Sequence, residues 1–163
     1  MTLAEVNALD RAAFVARFGL LFEHSPWVVE QAEQLRPFAD LHAGLMAPLR
    51  DASEAQRVAL IRAHPELAGK ATMDRGLTRA STREQASAGL DCLTPDEFAR
   101  FHDMNAAYRA RFGMPFVMCV RRTDKAGILA AMETRLGSTA AAETATAIAE
   151  IGEIICLRLT ELP

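Results

Sequence analysis

Alanine outnumbers the β-branched aliphatic residues by more than two to one, with 31 alanines against 13 valines and isoleucines together. Alanine is the best helix former, whereas strands recruit valine and isoleucine because branched side chains pack well on a pleated surface. The balance predicts an all-α chain. At 163 residues the expectation is one domain spanning 1–163. Folding at this size buries roughly 70% of the extended chain's surface, enough for a core without disulfide or metal staples.

Capping signals divide the chain into about seven or eight helices. Thr2 and Glu5 have capping-box spacing. From Leu9 to Glu23 a helical stripe of Leu9, Ala13, Ala16 and Leu20 is expected. Ser25-Pro26 opens a helix to about Leu35, which Pro37 breaks; another is expected from Phe38 to Leu49, and Ser53 caps one from Glu54 to about Ala63. Thr94-Pro95-Asp96-Glu97 starts a long helix that runs from Pro95 to Arg111 and stops at Gly113 and Pro115. Asp124 to Leu136 and Ser138 to about Glu161 complete the set, with Ser138 as the expected N-cap.

Two segments resist a helical reading. Residues 64–79 contain Pro65, Gly69 and Gly76 and are expected to form a long loop. Phe116-Val117-Met118-Cys119-Val120 is a short apolar run between Pro115 and Arg121, either a buried strand or an extended linker. Long loops in compact domains are often functional.

Several chemistries have no foothold. The histidines, His24, His42, His64 and His102, lack zinc-binding spacing, and Cys92, Cys119 and Cys156 are scattered, so no metal site is expected and reduced thiols are the simplest reading. Nucleotide-binding glycine motifs and the G-x-S-x-G elbow are absent. The only lysines, Lys70 and Lys125, lie in no evidently apolar surroundings suited to Schiff-base chemistry. A net charge of −3 gives no case for nucleic acid, and no apolar run reaches the ~20 residues of a membrane span. The expectation is a cytoplasmic protein, in which any catalysis would proceed by general acid–base chemistry and electrostatic positioning without a metal, nucleotide or pyridoxal cofactor.

The candidates for that chemistry each have a structural alternative. His64 follows a helix end, where an imidazolium also meets the negative end of the dipole. Ser81-Thr82-Arg83-Glu84 reads as a capping box, which would occupy Glu84 structurally, whereas Gln85 has no such role. Asn105 and Tyr108, one helical turn apart, are candidates for a polar pair in the core. Ile151, Ile155, Arg158 and Leu162 share one face of the last helix, so Arg158 must pair with a carboxylate, bind an anionic ligand or extend its head to solvent.

With those residues in place, the chain resembles the OHCU decarboxylases, which act on 2-oxo-4-hydroxy-4-carboxy-5-ureidoimidazoline in urate degradation. Five fragments in order carry the resemblance: Phe22-Glu23-His24-Ser25-Pro26-Trp27, His64 through Lys70, Ser81 through Leu90, Asn105-Ala106-Ala107-Tyr108, and Arg111 through Arg121. Glu150 to Leu159 looks like the family's closing helix.

The resemblance implies an all-helical homodimer that releases CO2 and yields (S)-allantoin without a cofactor. It assigns catalysis to His64, and substrate binding to Pro65, Ser81, Glu84, Gln85, the Phe116-Val117-Met118-Cys119-Val120 backbone and Arg158; beside it, Glu84 is expected to join catalysis by orienting His64 or the ureido group. The ending Glu161-Leu162-Pro163 is not the peroxisomal tripeptide of some eukaryotic members, in keeping with a cytoplasmic enzyme. Two alternatives stay open from the residues themselves: a non-catalytic ligand-binding module of the same fold, or a hydrolase of a related ureido compound.

Overall fold

A computed structural model describes residues 1–69 and 78–162, and within them every regular element is helical. Nine α-helices are present among the described residues: α1 (Leu3–Ala8), α2 (Arg11–Phe18), α3 (Trp27–Glu33), α4 (Leu41–Asp51), α5 (Glu54–Arg62), α6 (Arg79–Ser87), α7 (Pro95–Phe112), α8 (Lys125–Arg135) and α9 (Ala140–Thr160). A 3-10 turn spans Val120–Arg122. None of these helices is long and apolar enough to cross a membrane.

Side-chain caps set most of the boundaries. The boxes formed by Thr2 with Glu5, Ser53 with Gln56 and Thr94 with Glu97 each satisfy backbone N–H groups that a helix start leaves without partners. Gly113 ends α7 in the left-handed region at φ 68°, a conformation that costs glycine little.

Several expected boundaries move. Asp10 accepts the Ala13 N–H and starts α2 afresh, so the 9–23 segment is helical only over Arg11–Phe18. The expected stripe fails there: Leu20 is 89% exposed, and Phe14 and Phe18, an i, i+4 pair, take the buried face. Asp40 caps α4, which therefore starts at Leu41 rather than Phe38. At the start of α9 the Thr139 hydroxyl accepts the Ala142 N–H, so Thr139, not Ser138, is the cap. Of the expected 64–79 loop, residues 64–69 form turns, α6 begins at Arg79, and 70–77, with Lys70, lie outside the described residues.

The chain divides into two compact units, residues 1–63 with 152–163 and residues 64–151. In the first, the Phe14 and Phe18 rings meet at a tilt with centroids 4.8 Å apart, and Leu21, Phe22, Val28 and Leu45 are buried as well. The core of the second is built on Phe101, Tyr108, Phe116, Ile128, Met132 and Ile151. The Tyr108 ring meets Phe116 edge-on at 5.3 Å, which fixes the start of the 116–120 run against α7.

Candidate active site

His64 stands directly after Ala63, the C-cap of α5, and is buried to 8% exposure. It lines a cavity of about 460 Å³ with Pro65, Ala68, Phe98, Asn105 and Arg109. His102 and Glu66 also border it, and the Glu66 carboxylate pairs with the Arg109 guanidinium at 2.6 Å.

Two side-chain amides hold the turn that follows His64. Gln85 Oε1 accepts the Ala68 N–H at 3.1 Å, and its Nε2 donates to the Glu66 carbonyl at 3.3 Å. Between them, Asn105 Nδ2 donates to the Leu67 carbonyl at 2.8 Å. Three consecutive residues are thus pinned from two helices, α6 and α7. The clamp secures a turn in which buried Ala68 adopts φ 53°, a left-handed conformation uncommon for a residue with a Cβ. Asn105 and Tyr108 are both buried, but each bonds elsewhere: Asn105 to Leu67, Tyr108 to Glu143.

The expected Ser81–Glu84 capping box does not form. Thr78 caps α6 and accepts the Ser81 N–H, which places Ser81 inside the first turn and Glu84 mid-helix. The earlier start puts Ser81 and Gln85 on one buried face, at 5% and 2% exposure, one turn apart. Glu84, the half-buried neighbour of Gln85, lies close enough for its charge to act on the Cys119 thiol. Burial pushes that thiol up from its ordinary range; Glu150 and Glu84 add to the rise, while Arg122 opposes it. One helix, α6, therefore borders both the His64 turn and the 116–120 run.

Residues 116–119 of that run are neither helix nor paired strand, and Val120 opens the 3-10 turn. Side chains hold the run instead. Arg135 donates from Nη1 to the Val117 carbonyl at 2.8 Å, and the Cys119 N–H donates to Glu150 Oε2 at 2.8 Å. Arg135 also lies over the Phe116 ring at 4.3 Å and donates from Nε to Glu143 at 2.6 Å. Glu143 in turn accepts the Tyr108 hydroxyl. Sequence reading missed Arg135 and Glu150, because the groups they hold are backbone atoms that no side-chain pattern marks.

Arg158 belongs to the other unit. Its Nη1 donates to the Leu21 carbonyl at 2.8 Å and lies 3.2 Å from Glu23 Oε2, with both side chains buried. Of the three fates the sequence leaves open, the structure provides a protein carboxylate. No cluster of three or more His, Cys, Asp or Glu side chains suited to a metal ion occurs among the described residues.

Comparison with known proteins settles the family. The family model described as OHCU decarboxylase matches residues 7–160. The chain belongs to the OHCU decarboxylase family. It is 43% identical over 164 residues to the 2-oxo-4-hydroxy-4-carboxy-5-ureidoimidazoline decarboxylase of Haloferax volcanii, covering 99% of this chain and 95% of that protein. Its identity to the decarboxylase of the same name from Mus musculus is 36%, covering 99% and 93%. Among solved structures, the crystal structure of (S)-allantoin synthase superposes with a TM-score of 0.76 at 26% identity, over 99% of this chain and 53% of that one. A crystal structure of OHCU decarboxylase in the presence of (S)-allantoin has a TM-score of 0.67 at 19% identity, covering 89% and 95%, and shows the shared fold.

Proposed function

We propose that this chain is a carboxy-lyase that converts 2-oxo-4-hydroxy-4-carboxy-5-ureidoimidazoline to (S)-allantoin and CO2 in urate degradation. The observation that carries the reading is the family membership across nearly the whole chain, at 43% identity to a decarboxylase of that name. The buried His64 on a cavity wall, with its turn pinned by Gln85 and Asn105, gives the reading a reactive centre.

The substrate carries its own electron sink. Its carboxylate sits on a ring carbon next to a C=N bond, so the carbon–carboxylate bond can break with its electron pair forming a ring C=C bond. The former C=N pair takes a proton at nitrogen. The resulting enol then loses its hydroxyl proton to become a carbonyl, and the ureido-bearing carbon takes a proton from one face to give the S product. One proton enters overall and takes the place of CO2.

In this reading His64 handles the hydroxyl proton, a role that a positioned imidazole serves as acid or base. Glu84 orients His64 or the ureido group. Pro65 and Ser81 line the site, and the 116–120 backbone reads the substrate's amide edges. Gln85 is carried as a substrate-binding residue on the resemblance, and its bonds to residues 66 and 68 support a second task, holding the turn. Arg158, paired with a substrate oxygen or ring carbonyl, is likewise carried on the resemblance, as are the homodimer, the cytoplasmic setting and the lack of a cofactor.

The test is to add the protein to freshly generated substrate and follow absorbance and circular dichroism. Rapid appearance of optically active (S)-allantoin is expected. Decay to racemate at the blank rate would leave a binding module, and a different optical product would point to a hydrolase.

A further inference from the structure

In a planar trans peptide the C=O of one residue and the N–H of the next point in opposite directions. The peptides on either side of Met118 are trans. The Val117 carbonyl is taken by Arg135, so the Met118 N–H points away from that guanidinium. The Cys119 N–H is taken by Glu150, so the Met118 carbonyl points away from that carboxylate. Among the described residues neither backbone group of Met118 has a hydrogen-bond partner. Met118 is also the one residue of the 116–120 run that is not fully buried.

We infer that Arg135 and Glu150 are positioning residues, which together stand in for a neighbouring strand along the 117–119 backbone and turn the Met118 N–H and C=O toward the substrate as an adjacent donor–acceptor pair. Such a pair matches an edge carrying a carbonyl beside an N–H, as in an amide, an imide or a ureido group. A ligand edge with two acceptors places one of them against the Met118 carbonyl and is disfavoured. The inference rests on the decarboxylase reading, whose substrate and product both carry such edges.

The arrangement is stiff at the Arg135 end. The guanidinium is fixed by Glu143 through Nε and by the face of Phe116, and Glu143 is fixed by Tyr108. A lysine at 135 would keep the charge but lose the planar fork that serves Glu143 and Val117 together. At the other end the bond is a single charge-assisted one, and an amide oxygen can replace it with a weaker acceptor. The Glu150 side therefore supports a graded experiment, because the acceptor can be weakened or removed without touching substrate directly.

The experiment measures KM and kcat on freshly generated substrate and Kd for (S)-allantoin, with melting temperature alongside. Glu150→Ala is expected to raise KM and Kd together by about three- to tenfold, the range of one hydrogen bond, with a smaller change in kcat. Glu150→Gln is expected to recover most of the lost affinity. A fall in melting temperature with KM and Kd unmoved would make Glu150 structural only and overturn the inference. Should Glu150→Ala fail to fold, the unaltered 15N-labelled chain decides. On saturation with (S)-allantoin the Met118 amide signal should shift and gain exchange protection, while the Cys119 amide is protected before and after. An unmoved Met118 signal with normal turnover overturns the inference and leaves the decarboxylase reading standing. Absence of both turnover and (S)-allantoin binding in the unaltered chain removes the reading, and the inference with it.

Discussion

The Arg158 guanidinium and the Glu23 carboxylate meet at 3.2 Å with both side chains almost wholly buried, at 5% and 1% exposure. Removing one member of such a pair leaves the other charge in a poorly solvating interior, a loss of about 3–5 kcal/mol in other proteins. Arg158→Met is therefore expected to lower the melting temperature sharply, and the double variant Glu23→Leu/Arg158→Met to regain much of it. Kinetics at a permissive temperature separate the second role: a substrate contact raises KM in Arg158→Lys, which keeps the charge and loses the fork. Full stability in Arg158→Met would contradict the pairing.

His64 offers a cleaner separation of fold from chemistry. Positioned acid–base catalysis contributes about 10²–10⁴-fold, so His64→Asn is expected to lose turnover by that order while the helical circular dichroism signal is retained. The turn itself is held by Gln85 and Asn105, whose bonds the substitution leaves in place. Near-normal kcat in the folded variant would remove His64 from the mechanism.

Glu84 stands mid-helix, so its substitution has no cap to break. Glu84→Gln keeps the side chain's size and leaves the Thr78 cap in place, so it is expected to move the melting temperature little. Its expected kinetic effect is a loss of about 10²-fold, the scale on which misplaced catalytic groups cost rate. Thermal melts and kcat/KM on the same preparation check both halves. A destabilised variant with unchanged kinetics would return Glu84 to a structural role.

Which parts of the molecule could be read in advance follows from the range of the forces involved. Caps act over three residues, so Thr94 with Glu97 and Ser53 with Gln56 mark their helices in the sequence. The Ser81–Glu84 pattern misleads because a second hydroxyl, Thr78, lies three residues upstream, and starting there buries both Ser81 and Gln85. Periodicity places Leu20 on a stripe, yet the larger apolar area of Phe14 and Phe18 decides which face turns inward. Glu23 is 135 positions from Arg158 in the chain, so the sequence shows that the guanidinium needs a partner without showing which. Of the candidate site, the resemblance names the side chains, whereas the grip of Asn105 on Leu67 and of Arg135 on Val117 exists only in three dimensions.

Tyr108 provides a prediction at alkaline pH. Burial is the chief cause that raises its phenol well above the ordinary value, and the hydrogen bond to Glu143 raises it further, against a smaller opposing pull from Arg135. The folded protein therefore holds this proton more tightly than the unfolded chain. The stability it contributes is complete below the unfolded pKa of about 10, and is lost as pH rises through the interval up to the folded value. Over that interval one proton difference costs about 1.4 kcal/mol per pH unit. The chain has a single tyrosine, so tyrosinate absorbance reports this group alone. The expected result is that tyrosinate appears only with loss of the helical signal, and that Tyr108→Phe flattens the alkaline slope of stability. At neutral pH the same variant should be less stable by about 1–3 kcal/mol, because the buried Glu143 carboxylate loses a donor. Titration of Tyr108 at its ordinary pKa in a chain that remains folded would contradict the Tyr108–Glu143 arrangement and the Arg135 anchor built on it.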